Sequence, residues 1–506
     1  MKSMNRRKAS IRNTVIALTS EILVTVVGFM LPRAIMVNYG SETNGLITSL
    51  QQFIQYFTLL EAGLSGAAVF ALYKPLSAGD TGTIERILYS AKKMYEKLGC
   101  VFLAMIALSS AIYPFFIAKT DYSYFTIVLL CCLIGLNGAT QFLFIGKYKV
   151  LLNASQNSRY IAVINSLSTC LYSINVIIAA YFQVHIVIAV GLGVLAYIVR
   201  AMAYYFVVRC LFPKYDFHKC GEYRFANQKE VFIQQILSLL ILNSSTLILT
   251  FTRTSMREIS VFTTYNMVLT AVFLVTNAVN TGVSASFGDL IARHDEKRLA
   301  RVYKEYEILF QAFWIIIFSC VLALYQPFMK IYTMGIEDAQ YVRPMLCFLC
   351  SLLGALWVIR NQQSVMIVAA GKFKEIQKGS IIEAVLTIVL SFAGLAVWGL
   401  EGLVAGRCIA AGYRVVDFIR FNSQNVVKVK IRFTVCQITI SIVLVALIYL
   451  VAQKFLSVFM VGTYIGWAID ACIVASVAIM ISIVFGLINW KNLSKFSQKI
   501  MRKNGK

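Results

Sequence analysis

Arginines and runs of amides set inside apolar sequence are the residues with chemistry to do in this chain. Arg33 follows Leu31 and Pro32 near the end of a long apolar run. Beyond it, Asn44, Thr48, Gln51, Gln55 and Thr58 recur at four- and three-residue steps, which puts them on one helical face, with Glu61 on the same side. Comparable clusters follow: Asn137, Thr140 and Gln141; Gln234, Gln235, Ser238 and Asn243; Thr270, Thr276, Asn277, Asn280, Thr281 and Ser284; and Arg360 with Asn361, Gln362 and Gln363. Lipid cannot satisfy such groups, so each must face protein or a water-filled space. Amides and hydroxyls suit a sugar or water equally, whereas guanidinium grips phosphate through its planar fork. The expected chemistry is therefore non-covalent recognition of a polar, partly anionic passenger. The candidate binding residues are Arg33, Arg253, Arg360, Arg200, Arg407, Asn44, Gln51 and Gln55. Glu21 and Glu61 are the candidates for a coupling H+ or Na+. Glu383 is expected to be a helix end close to one surface, and Asp470 a structural partner of another helix.

The elements that carry these residues are membrane spans. The chain has 506 residues, 59% of them hydrophobic and 14% charged, with mean hydropathy +0.74; soluble domains run to about 25% charged. Apolar runs of roughly 20 residues recur throughout, the length a helix needs to cross a bilayer. They do not show the alternating segments of ~10 residues that a membrane barrel requires. The fold class is an all-α polytopic membrane protein of about fourteen helices. The spans are placed near 12–37, 43–72, 94–118, 122–146, 158–182, 184–211, 230–252, 258–286, 306–332, 340–370, 378–398, 400–422, 433–453 and 461–488, with a break expected at Gly399. The basic N-terminus and the apolar run behind it contain Glu21 and no A-x-A site, so they are taken as a retained first span.

Net charge is +24, yet its distribution argues against a nucleic-acid partner. Most Lys and Arg fall in alternate short loops, which orients both termini to the cytoplasm by the positive-inside rule. The other side keeps Arg33, Lys119, Arg253, Arg257, Lys330, Arg343 and Lys454, while Arg200, Arg360 and Arg407 lie within spans. No catalytic constellation is present. The Gly146-Lys147 and Gly371-Lys372 pairs lack the glycine and hydroxyl residue of a phosphate loop. His185, His218 and His294 are far apart, and Cys347 and Cys350 stand alone in an apolar helix. Neither an enzyme nor a cofactor is expected.

The chain also repeats itself. Gly146-Lys147-Tyr148-Lys149 matches Gly371-Lys372-Phe373-Lys374; Tyr113-Pro114-Phe115-Phe116-Ile117 matches Gln326-Pro327-Phe328-Met329-Lys330; Arg33 matches Arg253. Six spans separate each pair, so the halves share one orientation. The expected organisation is an N-lobe over 1–212, a cytoplasmic linker over 213–229, a C-lobe over 230–431 related by a pseudo-two-fold axis, an extra helix pair over 432–490 and a basic cytoplasmic tail over 491–506. Two such bundles around a polar cavity make a transporter architecture.

The opening stretch carries Asn44-Gly45-Leu46, Gln51, Gln52, Glu61-Ala62-Gly63-Leu64 and Tyr73-Lys74-Pro75-Leu76. With them the whole chain resembles the polysaccharide transporters, the O-antigen and capsule repeat-unit flippases of the multidrug/oligosaccharidyl-lipid/polysaccharide exporter superfamily. The resemblance implies a flippase in the cell membrane that moves an undecaprenyl-diphosphate-linked oligosaccharide by alternating access. It implies cavity arginines for the pyrophosphate, a role carried onto Arg33 and Arg253 first, then Arg200, Arg360 and Arg407. The partners it brings are the lipid-linked glycan, the phospholipid bilayer, glycosyltransferases and a polysaccharide polymerase, and H+ or Na+. The alternatives are a multidrug or metabolite–cation antiporter of the same fold, a lipid II flippase, or a membrane scaffold for glycan assembly. A scaffold has no need of wet polar faces.

Overall fold

The computed structural model describes residues 2–61, 64–217, 221–223, 225, 229–293, 295–372, 374–456 and 462–504. Ala62, Gly63, His218, His294 and Phe373 lie outside the described residues, as do the side chains of Gln234, Thr281 and Ser284. The described chain is helical, with no strand. The helices are α1 (Lys2–Phe57), α2 (Leu64–Ala78), α3 (Thr81–Phe116), α4 (Tyr124–Thr140), α5 (Gly146–Ala154), α6 (Ser158–Tyr181), α7 (Ile186–Leu211), α8 (Lys229–Phe251), α9 (Met256–Ala292), α10 (Glu296–Tyr332), α11 (Pro344–Ala369), α12 (Gln377–Phe421), α13 (Ile431–Leu456) and α14 (Tyr464–Asn504).

Eleven described segments are long and apolar enough to cross a membrane, and the shorter apolar helix Gln235–Phe251 joins them. Two of the eleven, Val15–Ala78 and Gln377–Val426, are each interrupted at a glycine. Gly40 adopts φ 86° and breaks α1. Gly399, with φ 64°, breaks α12 where the sequence predicts it. The α12 hairpin is closed by backbone contact: a Cβ on Gly394 meets the Gly402 carbonyl at 2.1 Å, and one on Gly402 meets the Gly394 carbonyl at 1.9 Å. Only glycine permits that approach.

Several boundaries move. Helices α3 and α10 start well before their apolar runs. Asp80 and Asp295 N-cap them, accepting from the backbone N–H of Thr83 at 3.0 Å and of Arg298 at 3.0 Å. Such caps start a helix in polar sequence that hydropathy alone passes over. The hydroxyl and backbone N–H of Thr83 hold the exposed Asp80 carboxyl below the usual carboxylate range. The fourth span runs on past 146 to Ala154 through a π-helical turn, Gln141–Ile145. Its repeat partner does not: α11 stops at Ala369, and Gly371 at φ 67° closes it as Lys372 N–H reaches the Ile367 carbonyl at 3.2 Å. The two Gly-Lys motifs match in sequence and differ in backbone.

The chain divides into two compact units, 1–267 with 336–339, and 268–335 with 340–506. In the first, α1 packs on α6, α4 and α8, α6 on α7, and α3 on α2 and α4. In the second, α10 packs against α11, α13 and α14, and α11 against α12. The C-terminal pair is thus built onto α10: Trp467 Nε1 donates to the Leu324 carbonyl at 3.2 Å, and Ser482 Oγ to that of Ala312.

Candidate functional site

In the first unit the polar face of α1 is closed at one end and open at the other. Ser41, which restarts the helix after Gly40, donates from its backbone N–H and hydroxyl to Asp338 at 2.7 and 2.6 Å. Asn44 is 1% exposed and donates to Ser260 Oγ at 2.8 Å. Gly45 lets α9 approach so closely that an added Cβ would lie 1.8 Å from the Met256 carbonyl. Ser49 bonds both Tyr113 and Thr250 at 2.6 Å, tying α1, α3 and α8 together. Asn44 therefore sits in a helix–helix contact. Gln51 and Gln55, on the same face, are exposed. Exposed amides inside a spanning helix need water.

The Glu61 end of that face leads into a polar cluster. Tyr95 donates to Glu61 Oε1 at 2.7 Å, Gln141 Nε2 approaches Oε2 at 3.4 Å, and Lys149 Nζ donates to Gln141 Oε1 at 2.9 Å. Arg200 joins from α7: one Nη2 faces Asn137 Oδ1 at 2.8 Å and Thr140 Oγ1 at 3.1 Å, and its guanidinium lies 5.3 Å from the Tyr197 ring. The buried Arg200 Nε makes no hydrogen bond. The π-helical turn sets this geometry, since its extra residue shifts Gln141 and Lys149 relative to Asn137 and Thr140. Such turns recur at functional sites. Lys149 and Arg200 bring two positive charges against the single Glu61 carboxylate, so the cluster favours an anion. Gly146 makes room for the Tyr95 ring, whose Cε1 would stand 2.3 Å from an added Cβ.

The remaining first-unit candidates stand apart. Arg33 is half-buried beside Pro32 inside α1, and Glu21 is exposed on the same helix. Arg253 occupies the left-handed position at the end of α8, φ 54°, a seat usually held by glycine. Its Nη2 donates to the Phe115 carbonyl at 3.1 Å at the end of α3. It is a helix-end staple, whereas Arg33 lies within α1, so the paired residues of the repeat occupy different local settings.

In the second unit the structure joins Arg360 to a carboxylate. Arg360 Nε and Nη2 meet Glu383 Oε1 and Oε2 at 2.8 and 3.0 Å. Glu383 is 1% exposed rather than a solvated helix end. Arg414, fully buried, adds its Nε at 3.3 Å from Glu383 Oε2, pairs with Asp417, and donates to Ser380 Oγ at 2.6 Å and the Ile376 carbonyl at 3.1 Å. Two arginines and two acids balance, which removes Arg360 from the surplus of positive charge that an anionic ligand needs. Arg407, 2% exposed, lies 4.7 Å from the Trp357 ring. The sequence reading passed over Arg414; its i, i+3 spacing to Asp417 was the available signal. It also passed over Lys149, although the Gly-Lys motif contains it. Among the described residues no group of three or more His, Cys, Asp or Glu is placed to hold a metal.

The fold is shared with solved structures of transporters. No protein-family model and no curated protein sequence matches the chain; solved structures do. The lipid II flippase MurJ, in an inward closed conformation, matches with TM-score 0.68 and 14% identity over 95% of this chain and 99% of that one. An inward-facing multidrug resistance MATE family transporter matches with TM-score 0.60 and 14% identity over 81% and 99%. A MOP superfamily transporter from Pyrococcus furiosus matches with TM-score 0.53 and 14% identity over 84% and 97%. These neighbours are transporters and flippases, not enzymes.

Proposed function

We propose that the chain is a flippase that carries an undecaprenyl-diphosphate-linked oligosaccharide across the cell membrane by alternating access, with both termini cytoplasmic. The observation that carries this reading is the Lys149–Arg200 cluster at the open end of a wet amide face. The guanidinium and ammonium suit a diphosphate, and Gln51 and Gln55 suit the hydroxyls of a sugar. The extent of the likeness supports a flippase over an antiporter. The MurJ match leaves 5% of the chain, about 25 residues, too few to contain α13 and α14, which are 26 and 41 residues long. The MATE match leaves 19%. Glycosyltransferases and a polymerase are the expected suppliers and consumers of such a substrate.

The test is export in cells. Arg200→Ala and Lys149→Ala are each expected to lower surface glycan about tenfold, the size of one lost charge-assisted hydrogen bond, with folded protein at wild-type abundance. Arg253→Ala is expected to lower abundance rather than export per molecule. Normal surface glycan in both cluster variants sinks the assignment.

A further inference from the structure

The arginine of the first-unit cluster stands over a pair of rings that the transport reading does not use. Gly193, Tyr197 and Arg200 follow one another at four- and three-residue steps and share one face of α7. The Arg200 guanidinium lies over the Tyr197 ring, 5.3 Å from its centroid. Tyr172 of α6 stacks on the same ring, with 5.4 Å between centroids and the planes 9° apart. Gly193 makes the stack possible, because a Cβ there would stand 2.6 Å from Tyr172 Cε2. Tyr172 and Tyr197 are both buried, at 8% and 9% exposed.

Arginine has a long, rotamer-rich side chain, and ordering it on a ligand takes away part of what its hydrogen bonds contribute. Two restraints remove that freedom before a ligand arrives. Nη2 is committed to α4, to Asn137 Oδ1 at 2.8 Å and Thr140 Oγ1 at 3.1 Å. The flat face of the guanidinium meets the Tyr197 ring, and a ring attracts a cation most strongly where water is excluded. A leucine at 197 would fill the apolar space but present no π-face. Nε is buried. The nitrogen left for a ligand is Nη1, which has no partner among the described residues.

We propose that Tyr197, held in place by Tyr172, is a positioning residue that fixes the Arg200 guanidinium with Nη1 as the donor to the diphosphate. The inference rests on the reading of this cluster as the phosphate site and adds how its charge is held ready.

The experiment measures binding of inorganic diphosphate to the purified full-length protein by titration calorimetry. Tyr197→Leu is expected to weaken binding about fivefold. Tyr197→Phe keeps the ring and is expected to bind as wild type does. Arg200→Ala is expected to weaken binding about tenfold, and Tyr197→Leu added to it to cost nothing more, because the two side chains act as one unit. A ring that only packs would weaken binding by the same factor in both backgrounds. Tyr172→Leu is expected to weaken binding about threefold, and it decides the matter if Tyr197→Leu does not fold. Wild-type affinity in Tyr197→Leu or in Tyr172→Leu, or an equal loss in both backgrounds, overturns the positioning role and leaves the phosphate site standing. A wild type that does not bind diphosphate, or wild-type affinity in Arg200→Ala, overturns both.

Discussion

Glu383→Ala is expected to destabilise the protein by about 3–5 kcal/mol, the range for removing one partner of a buried ion pair. The carboxylate is 1% exposed and serves Arg360 and Arg414 together, and Arg414 is fully buried. Its loss leaves the fully buried Arg414 and the partly buried Arg360 without their shared carboxylate. Thermal unfolding of purified protein reads the effect directly. A triple change, Arg360→Leu, Glu383→Leu and Arg414→Met, is expected to recover most of the loss, because apolar groups of similar volume avoid the desolvation that the charges incur. A Glu383→Ala protein as stable as wild type means that water reaches the arginines.

Gly45→Val has a comparable expected cost, at least about 3 kcal/mol, at the upper end for overpacking. An added Cβ lies 1.8 Å from the Met256 carbonyl, and that neighbour is backbone. To accept it, α1 and α9 must part, which also breaks the Asn44–Ser260 bond. Gly28, on the same helix, meets nothing within 4 Å. Gly28→Ala is therefore expected to be neutral or slightly stabilising, since alanine favours helix by about 1 kcal/mol over glycine. Measured side by side, the pair separates a packing requirement from helix propensity. Equal stability of the two variants contradicts the close contact.

The helices were legible in the sequence because hydropathy is a local property and bilayer thickness fixes its length scale. The Gly399 break followed from the same limit, since no single helix of that length suits a bilayer. The polar face of α1 was legible from spacing, but its closure over Asn44 was not. That depends on Ser260, more than 200 residues away in sequence. Arg360 was legible as buried, and its neutralisation was not, because the partner Glu383 looked like a helix end. Arg414 was missed for the complementary reason: it lies in a charged stretch with Asp417 and Arg420, where arginine is usually solvated. The π-turn has no simple sequence signature, yet it places Gln141, so the finest geometry of the polar cluster was the least predictable.

A diphosphate-linked glycan is the proposed passenger of this protein. The most direct test is reconstitution into liposomes that hold a fluorescent undecaprenyl-diphosphate oligosaccharide, with loss of inner-leaflet signal followed by an external quencher. The expected result is protein-dependent movement of the glycan between leaflets that falls about tenfold in Arg200→Ala. Liposomes that leave the lipid-linked glycan in place, while taking up an organic cation in exchange for Na+ or H+, contradict it.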